Sequence, residues 1–114
     1  MTTIYHNPRC SKSRQTLQLL EENNIQPTIR LYLQDTPNLE EIKTLVTQLA
    51  ITPQALMRTK EAIFKELGLS THSTDEECLQ AMHSHPILIE RPIVIHNNKA
   101  KIGRPPEDVL TLFN

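Results

Sequence analysis

The first 33 residues constrain the fold more than any other stretch. Thr2-Thr-Ile-Tyr5 reads as a short strand that runs straight into a turn at His6-Asn7-Pro8. A helix is expected from about Ser11, with Ser11 or Ser13 as its cap and Leu17 and Leu20 turned inward, fading at Asn23-Asn24. From Thr28 to Leu33 the residues alternate, placing Ile29, Leu31 and Leu33 on one face, which is a strand pattern. Strand, helix and strand joined this closely form a βαβ unit, so the two strands are expected to be parallel. The chain is thereby committed to an α/β fold.

The middle is helical. Thr36-Pro37 supplies a cap and a Pro for the first helical position, ahead of Leu39, Ile42, Leu45, Val46 and Leu49 at helical spacing. Pro53 opens a short helix carrying Leu56, and Lys60 to Leu67 gives one or two further turns that Gly68 stops. Thr74-Asp-Glu-Glu77 is a capping-box signature, followed by Leu79 and Met82 and ended by Pro86. The apolar runs Ile87-Leu-Ile89 and Ile93-Val-Ile95 then flank Glu90-Arg-Pro92. Asn97-Asn98 predicts a tight turn into Lys99–Ile102, hence a hairpin. Pro105-Pro106 starts a last helix with Val109, Leu110 and Phe113 as its apolar face. The order is β-α-β, three or four helices, then β-β-α. No repeat or linker divides it, so residues 1–114 are read as one domain with a helical insertion at about 38–85.

Charge and composition exclude several functions. A formal net charge of −1 gives no global attraction to nucleic acid or anionic lipid. No apolar run approaches the roughly 18 residues that a membrane span requires. The stretch Met1 to Tyr5 does not read as a signal peptide, and two cysteines are too few for a disulfide framework. A cytosolic protein is expected.

Cys10 is the candidate nucleophile. It stands where the first loop meets the first helix, and a helix N-terminus offers unpaired N–H groups and positive partial charge that favour a thiolate. His6, Arg9, Lys12, Ser13 and Arg14 surround it in sequence; the cations act in the same direction, and Ser13 is placed to hydrogen-bond the sulfur. The run Cys10-Ser-Lys-Ser13 lacks the second cysteine of a dithiol motif, so a reductase built on it needs an external thiol. Cys78 lies on an amphipathic helix beside Leu79 and reads as a small core residue. His83, His85 and Cys78 match no common zinc spacing, and no metal is expected.

Four motifs then occur in a recognisable order: Tyr5-His-Asn-Pro-Arg-Cys-Ser-Lys-Ser-Arg14, Ala55-Leu-Met-Arg58, Pro86-Ile-Leu-Ile-Glu-Arg-Pro-Ile93 and Gly103-Arg-Pro105. Together they resemble the glutaredoxin-linked arsenate reductase (ArsC) family over nearly the whole chain. The resemblance implies a thioredoxin-like fold, βαβ then ββα around a mixed sheet, with a helical insertion. It makes Cys10 the nucleophile, His6 and Ser13 its supports, and Arg58, Arg91 and Arg104 three oxyanion-binding arginines. It also implies a cis peptide at Arg91-Pro92. The planar guanidinium fork suits the oxygens of a tetrahedral anion.

The implied activity is glutathione- and glutaredoxin-dependent reduction of arsenate to arsenite by a monomer. Glutathione would serve as co-substrate, with no bound cofactor. Arg9 and Lys12 are more basic than the small residues of the best-known arsenate reductases, which leaves open a related monothiol reductase with another substrate. A third reading is a non-enzymatic adaptor resembling the Spx-type regulators, which usually carry Cys-x-x-Cys; Ser13 counts against it.

Overall fold

A computed structural model describes residues 1–113 and divides into two units. The first comprises Met1–Asp35 and the chain from Arg91 onward; the second is Thr36–Glu90.

The first unit contains β1 (Thr2–Tyr5), α1 (Ser11–Glu22), β2 (Thr28–Arg30), β3 (Ile93–His96) and β4 (Lys99–Ile102), and ends in a 3₁₀ helix, Pro106–Phe113. The sheet order is β2-β1-β3-β4. β1 and β2 are parallel, with Ile4 opposite Ile29, as expected for two strands joined by a crossover helix. β3 runs antiparallel to β1, with Ile4 opposite Val94, and antiparallel to β4, with Ile95 opposite Ala100. Asn97 and Asn98 both adopt positive φ, 50° and 66°, the conformation that a two-residue hairpin turn demands. Ile4, Leu20, Val94 and Val109 form the core of this unit, with Leu17, Ile25, Leu112 and Phe113 packed around it.

Three expectations for this unit change. β2 ends at Arg30, and Leu31–Asp35 turns instead of extending: the N–H groups of Gln34 and Asp35 donate to the Leu31 carbonyl at 2.9 and 2.8 Å. The Arg30 side chain fastens that turn through Nε to the Asp35 carbonyl at 3.1 Å. Ile29 and Leu33 are therefore exposed, and Tyr32 is the fully buried residue, stacked on Tyr5 with ring centroids 6.1 Å apart. The cap of α1 is Cys10 rather than Ser11 or Ser13. The closing helix is 3₁₀, with Val109 fully buried while Leu110 and Phe113 are half-buried.

The second unit holds α2 (Leu39–Leu49), α3 (Pro53–Leu56), α4 (Ala62–Glu66), α5 (Asp75–Ser84) and a 3₁₀ turn, Pro86–Leu88. α2 starts two residues later than Thr36-Pro37 predicts, because Asn38 makes a complete capping box: its Oδ1 accepts from Glu41 N at 2.8 Å and Glu41 Oε1 accepts from Asn38 N at 2.9 Å. Thr74 and Glu77 form the expected box at α5. Gly68, with φ +71°, follows α4 where only a residue without Cβ adopts that conformation cheaply. Ile42, Leu45, Leu56, Leu79, Met82 and Leu88 are buried here, and Cys78 is fully buried among the core residues. Burial pushes the Cys78 thiol up, and the carboxylates of Asp75 and Glu77 push it further, so it is held as an inert thiol. Residues 56–58 and 88–90 meet as a short antiparallel bridge: Arg58 N donates to Leu88 O at 2.7 Å and Glu90 N to Leu56 O at 2.9 Å.

Candidate functional site

β1 delivers the chain to a loop, His6–Arg9, whose hydrogen bonds set the direction of α1. His6 N donates to Arg30 O at 2.9 Å, which continues the sheet by one residue. Asn7 then organises the turn. Its side-chain Oδ1 accepts from Arg9 N at 3.0 Å and its carbonyl accepts from Cys10 N at 3.0 Å. The Arg14 guanidinium donates to Pro8 O at 2.8 Å and ties the loop to the first turn of the helix. Cys10 sits at the N-cap with extended backbone, and its carbonyl accepts from Arg14 N. The thiol is half-buried and free.

His6 and Ser13 meet beneath this loop. Ser13 is fully buried; its Oγ accepts from Asn7 N at 3.0 Å and lies 2.6 Å from His6 Nδ1. Burial, and then the charge of Arg14, lowers the His6 pKa, so the ring is neutral at neutral pH. The Ser13 hydroxyl either donates to an unprotonated Nδ1 or accepts from a protonated one, according to which ring nitrogen carries the imidazole proton. The Ser13 side chain is spent on the loop, and its backbone N–H is the group that serves the sulfur.

Burial alone would raise the Cys10 pKa. It is outweighed by the Ser13 N–H, by a hydrogen bond and the positive charge from Arg91, and by the Lys12 N–H, so the thiol is held below its ordinary value. Arg104 Nη2 also donates to Cys10 Sγ at 3.6 Å. Arg91 and Arg104 are bound to each other through Arg104 Nε and the Arg91 carbonyl at 2.8 Å. Both arginines precede a cis proline, Arg91-Pro92 as the family resemblance implies and Arg104-Pro105 in addition. Replacing Arg91 by Ala removes the largest side-chain contribution to the thiolate. The pH midpoint of Cys10 alkylation by iodoacetamide is expected to rise toward that of an ordinary thiol; an unchanged midpoint would leave the helix N-terminus and Arg104 as the cause.

Of the residues singled out in the sequence, Cys10, His6, Ser13, Arg91 and Arg104 come together in the first unit. Arg58 belongs to the second. There its Nη1 donates to Glu90 Oε1 at 2.8 Å, and its Nε lies 3.6 Å from Glu61 Oε1. Asn7 is the residue that sequence reasoning missed. An Asn before a Pro at a strand end signals a side-chain-supported turn, and that signal was available. Among the described residues, no group of three or more His, Cys, Asp or Glu is placed to hold a metal. No helix among them is long and apolar enough to cross a membrane.

The arrangement is a thiol held below its ordinary pKa with guanidinium donors beside it, suited to attack on an anionic electrophile. Known proteins are built alike. An arsenate reductase of Haemophilus influenzae is 50% identical over 112 residues, covering 96% of this chain and 97% of that protein. The uncharacterized protein YfgD of Escherichia coli (strain K12) is 51% identical over 111 residues, covering 96% and 93%. The solved structure of an arsenate reductase from Vibrio cholerae superposes with a TM-score of 0.94 at 50% identity, over 97% of this chain and 96% of that one. The fold is thus the thioredoxin-like one, a mixed sheet of βαβ and ββα halves with inserted helices. The model of the ArsC family matches residues 5–112, and the chain belongs to that family.

Proposed function

We propose that this protein is a glutathione- and glutaredoxin-dependent arsenate reductase with Cys10 as its nucleophile. The observation that carries the reading is the pairing of a lowered thiol pKa with Arg91 and Arg104 at the same sulfur. The Cys10 thiolate attacks arsenic(V); an S–As bond forms and one arsenic-bound oxygen leaves as water after protonation. A glutathione thiolate then attacks the Cys10 sulfur. The S–S bond forms as S–As breaks, the bonding pair stays on arsenic, and arsenite departs as arsenic(III). A glutaredoxin thiol attacks the resulting mixed disulfide and returns Cys10 to the thiolate.

Cys10 cannot close this cycle with its own neighbours. Position 13 is a serine whose hydroxyl is committed to His6 and Asn7, so the reducing equivalents come from outside the chain. His6 and Ser13 support the thiolate by holding the loop. Arg91 and Arg104 bind the oxyanion in this reading, and Arg58 is the third arginine by family likeness. Two free thiols suit a reducing compartment, and the protein is read as a monomer with no bound cofactor.

The test is NADPH oxidation coupled through glutathione reductase, with arsenate, glutathione and glutaredoxin. Wild type is expected to turn over only with arsenate present. Arg91→Ala and Arg104→Ala are each expected to lower kcat/KM for arsenate by about 10- to 100-fold, the loss of one charge-assisted contact to the anion. A folded wild-type protein without arsenate-dependent turnover would overturn the substrate assignment and move the thiol site to another oxidised substrate.

A further inference from the structure

A groove of about 460 Å³ runs along the exposed side of α1 and is closed on its other side by the start of the C-terminal 3₁₀ helix. Its volume falls within the range of about 300–1,000 Å³ that small-molecule sites occupy. Lys12, Gln15, Gln18 and Glu22 line it from α1 at helical spacing, and Pro106 and Glu107 line it opposite. Lys12 is two residues from Cys10, and the groove also takes in Pro105, which follows the Arg104 that contacts the sulfur. Charge is ordered along the α1 wall, with the Glu107 carboxylate on the wall opposite. The cation lies toward the thiol, two side-chain amides lie in the middle, and Glu22 lies about 15 Å along the helix axis from Lys12.

A thiol reductant that attacks at Cys10 must approach from a surface next to the sulfur. Glutathione carries its thiol between a glycine carboxylate and a γ-glutamyl group bearing an ammonium, joined by two amide bonds. We propose that this groove is the glutathione subsite, with Lys12 receiving the glycine carboxylate, Gln15 and Gln18 the amides, and Glu107 and Glu22 the γ-glutamyl ammonium. The inference rests on the thiol-reductase reading above and adds to it the place where the co-substrate docks. A second pocket, of about 230 Å³, flanks the nucleophile loop on the side of His6, Arg9 and Leu33. It is lined by no carboxylate for the ammonium, which decides between the two.

Two measurements test this. In the first, the amide NMR spectrum of the reduced protein is titrated with S-methylglutathione, which cannot react. Shifts are expected at Lys12, Gln15, Gln18, Glu22 and Glu107. Shifts confined to residues 6–9 and 31–34, or none at millimolar ligand, would overturn the proposal. In the second, Glu22→Lys and Glu107→Lys are assayed at low salt. Each is expected to raise KM for glutathione about fivefold while leaving kcat and KM for arsenate unchanged, since each reverses one exposed charge facing the ligand. A glutathione analogue lacking the amino group should lose affinity for wild type and lose clearly less in each variant, where one of the two carboxylates facing the ammonium is already gone. Unchanged KM for glutathione in both variants would sink the groove. Absence of arsenate turnover in wild type would instead sink the arsenate reading, and the NMR titration would still decide the groove.

Discussion

Cys10→Ser abolishes arsenate-dependent turnover, by at least about 10³-fold, in a protein that keeps its fold. The size follows from the role: a hydroxyl at the same position is almost wholly protonated at neutral pH and is no substitute for a thiolate. The fold survives because the Cys10 backbone donates its N–H to Asn7 O and accepts at its carbonyl from Arg14 N, and a serine makes both backbone bonds unchanged. Serine is also a favoured N-cap, and its hydroxyl can accept from the Ser13 and Lys12 N–H groups that face the native sulfur, so the variant is expected to keep its stability. The check is thermal unfolding beside the coupled assay. A variant that melts at or above wild type and retains turnover would mean that another group performs the attack. Cys78 is the other thiol of the chain, but it is fully buried and held protonated by burial and two carboxylates.

How much of this was written in the sequence depends on the range of the interaction. Elements fixed by neighbours along the chain were legible. Thr74 and Glu77 announced their capping box, Asn97-Asn98 announced the hairpin, and the single helix between the first two strands pointed to a parallel β1–β2 pair. The segment after Thr28 misled because its alternation is real but its partner is missing. Among the described residues β2 lies at the sheet edge and pairs with β1 alone, and the Arg30–Asp35 contact turns the chain away after Arg30. Ser13 was legible as a residue of the site but not in its manner of acting. Chemical type suggested a hydroxyl on the sulfur; the fold buries that hydroxyl between His6 and Asn7 and offers the sulfur a backbone N–H. The approach of Arg91 and Arg104 to Cys10 crosses more than 80 positions of the chain. Only a family pattern, and then three-dimensional pairing of β3 with β1 and β4, brings such residues to one sulfur.

Gly103→Ala is expected to destabilise the protein by about 2–3 kcal/mol, enough to lower Tm by about 10 °C. The glycine is required here by space and not by backbone freedom. A Cβ at position 103 would stand 2.6 Å from Thr16 Oγ1, 3.2 Å from Thr16 Cγ2 and 2.9 Å from Pro92 Cγ. Neither neighbour yields easily. Thr16 is fully buried and its hydroxyl donates to Lys12 O at 2.8 Å, while Pro92 is a rigid ring whose carbonyl accepts from Gly103 N at 2.9 Å. The three residues join the first turns of α1 to the two Arg-Pro segments, so relieving the clash displaces Arg91 or Arg104 relative to Cys10. Thiolate reactivity should therefore fall along with stability, read as slower iodoacetamide alkylation at fixed pH below the ordinary thiol range. Thr16→Ala alone is expected to cost about 1–2 kcal/mol for its lost hydrogen bond and contacts. The double variant separates crowding from other causes. With Thr16 truncated, the added methyl at 103 loses its worst contact, so the combined cost should be clearly less than the sum of the two single costs. Strict additivity would refute the steric account, and full alkylation rates in Gly103→Ala would show that the arginines keep their places when this junction is forced apart.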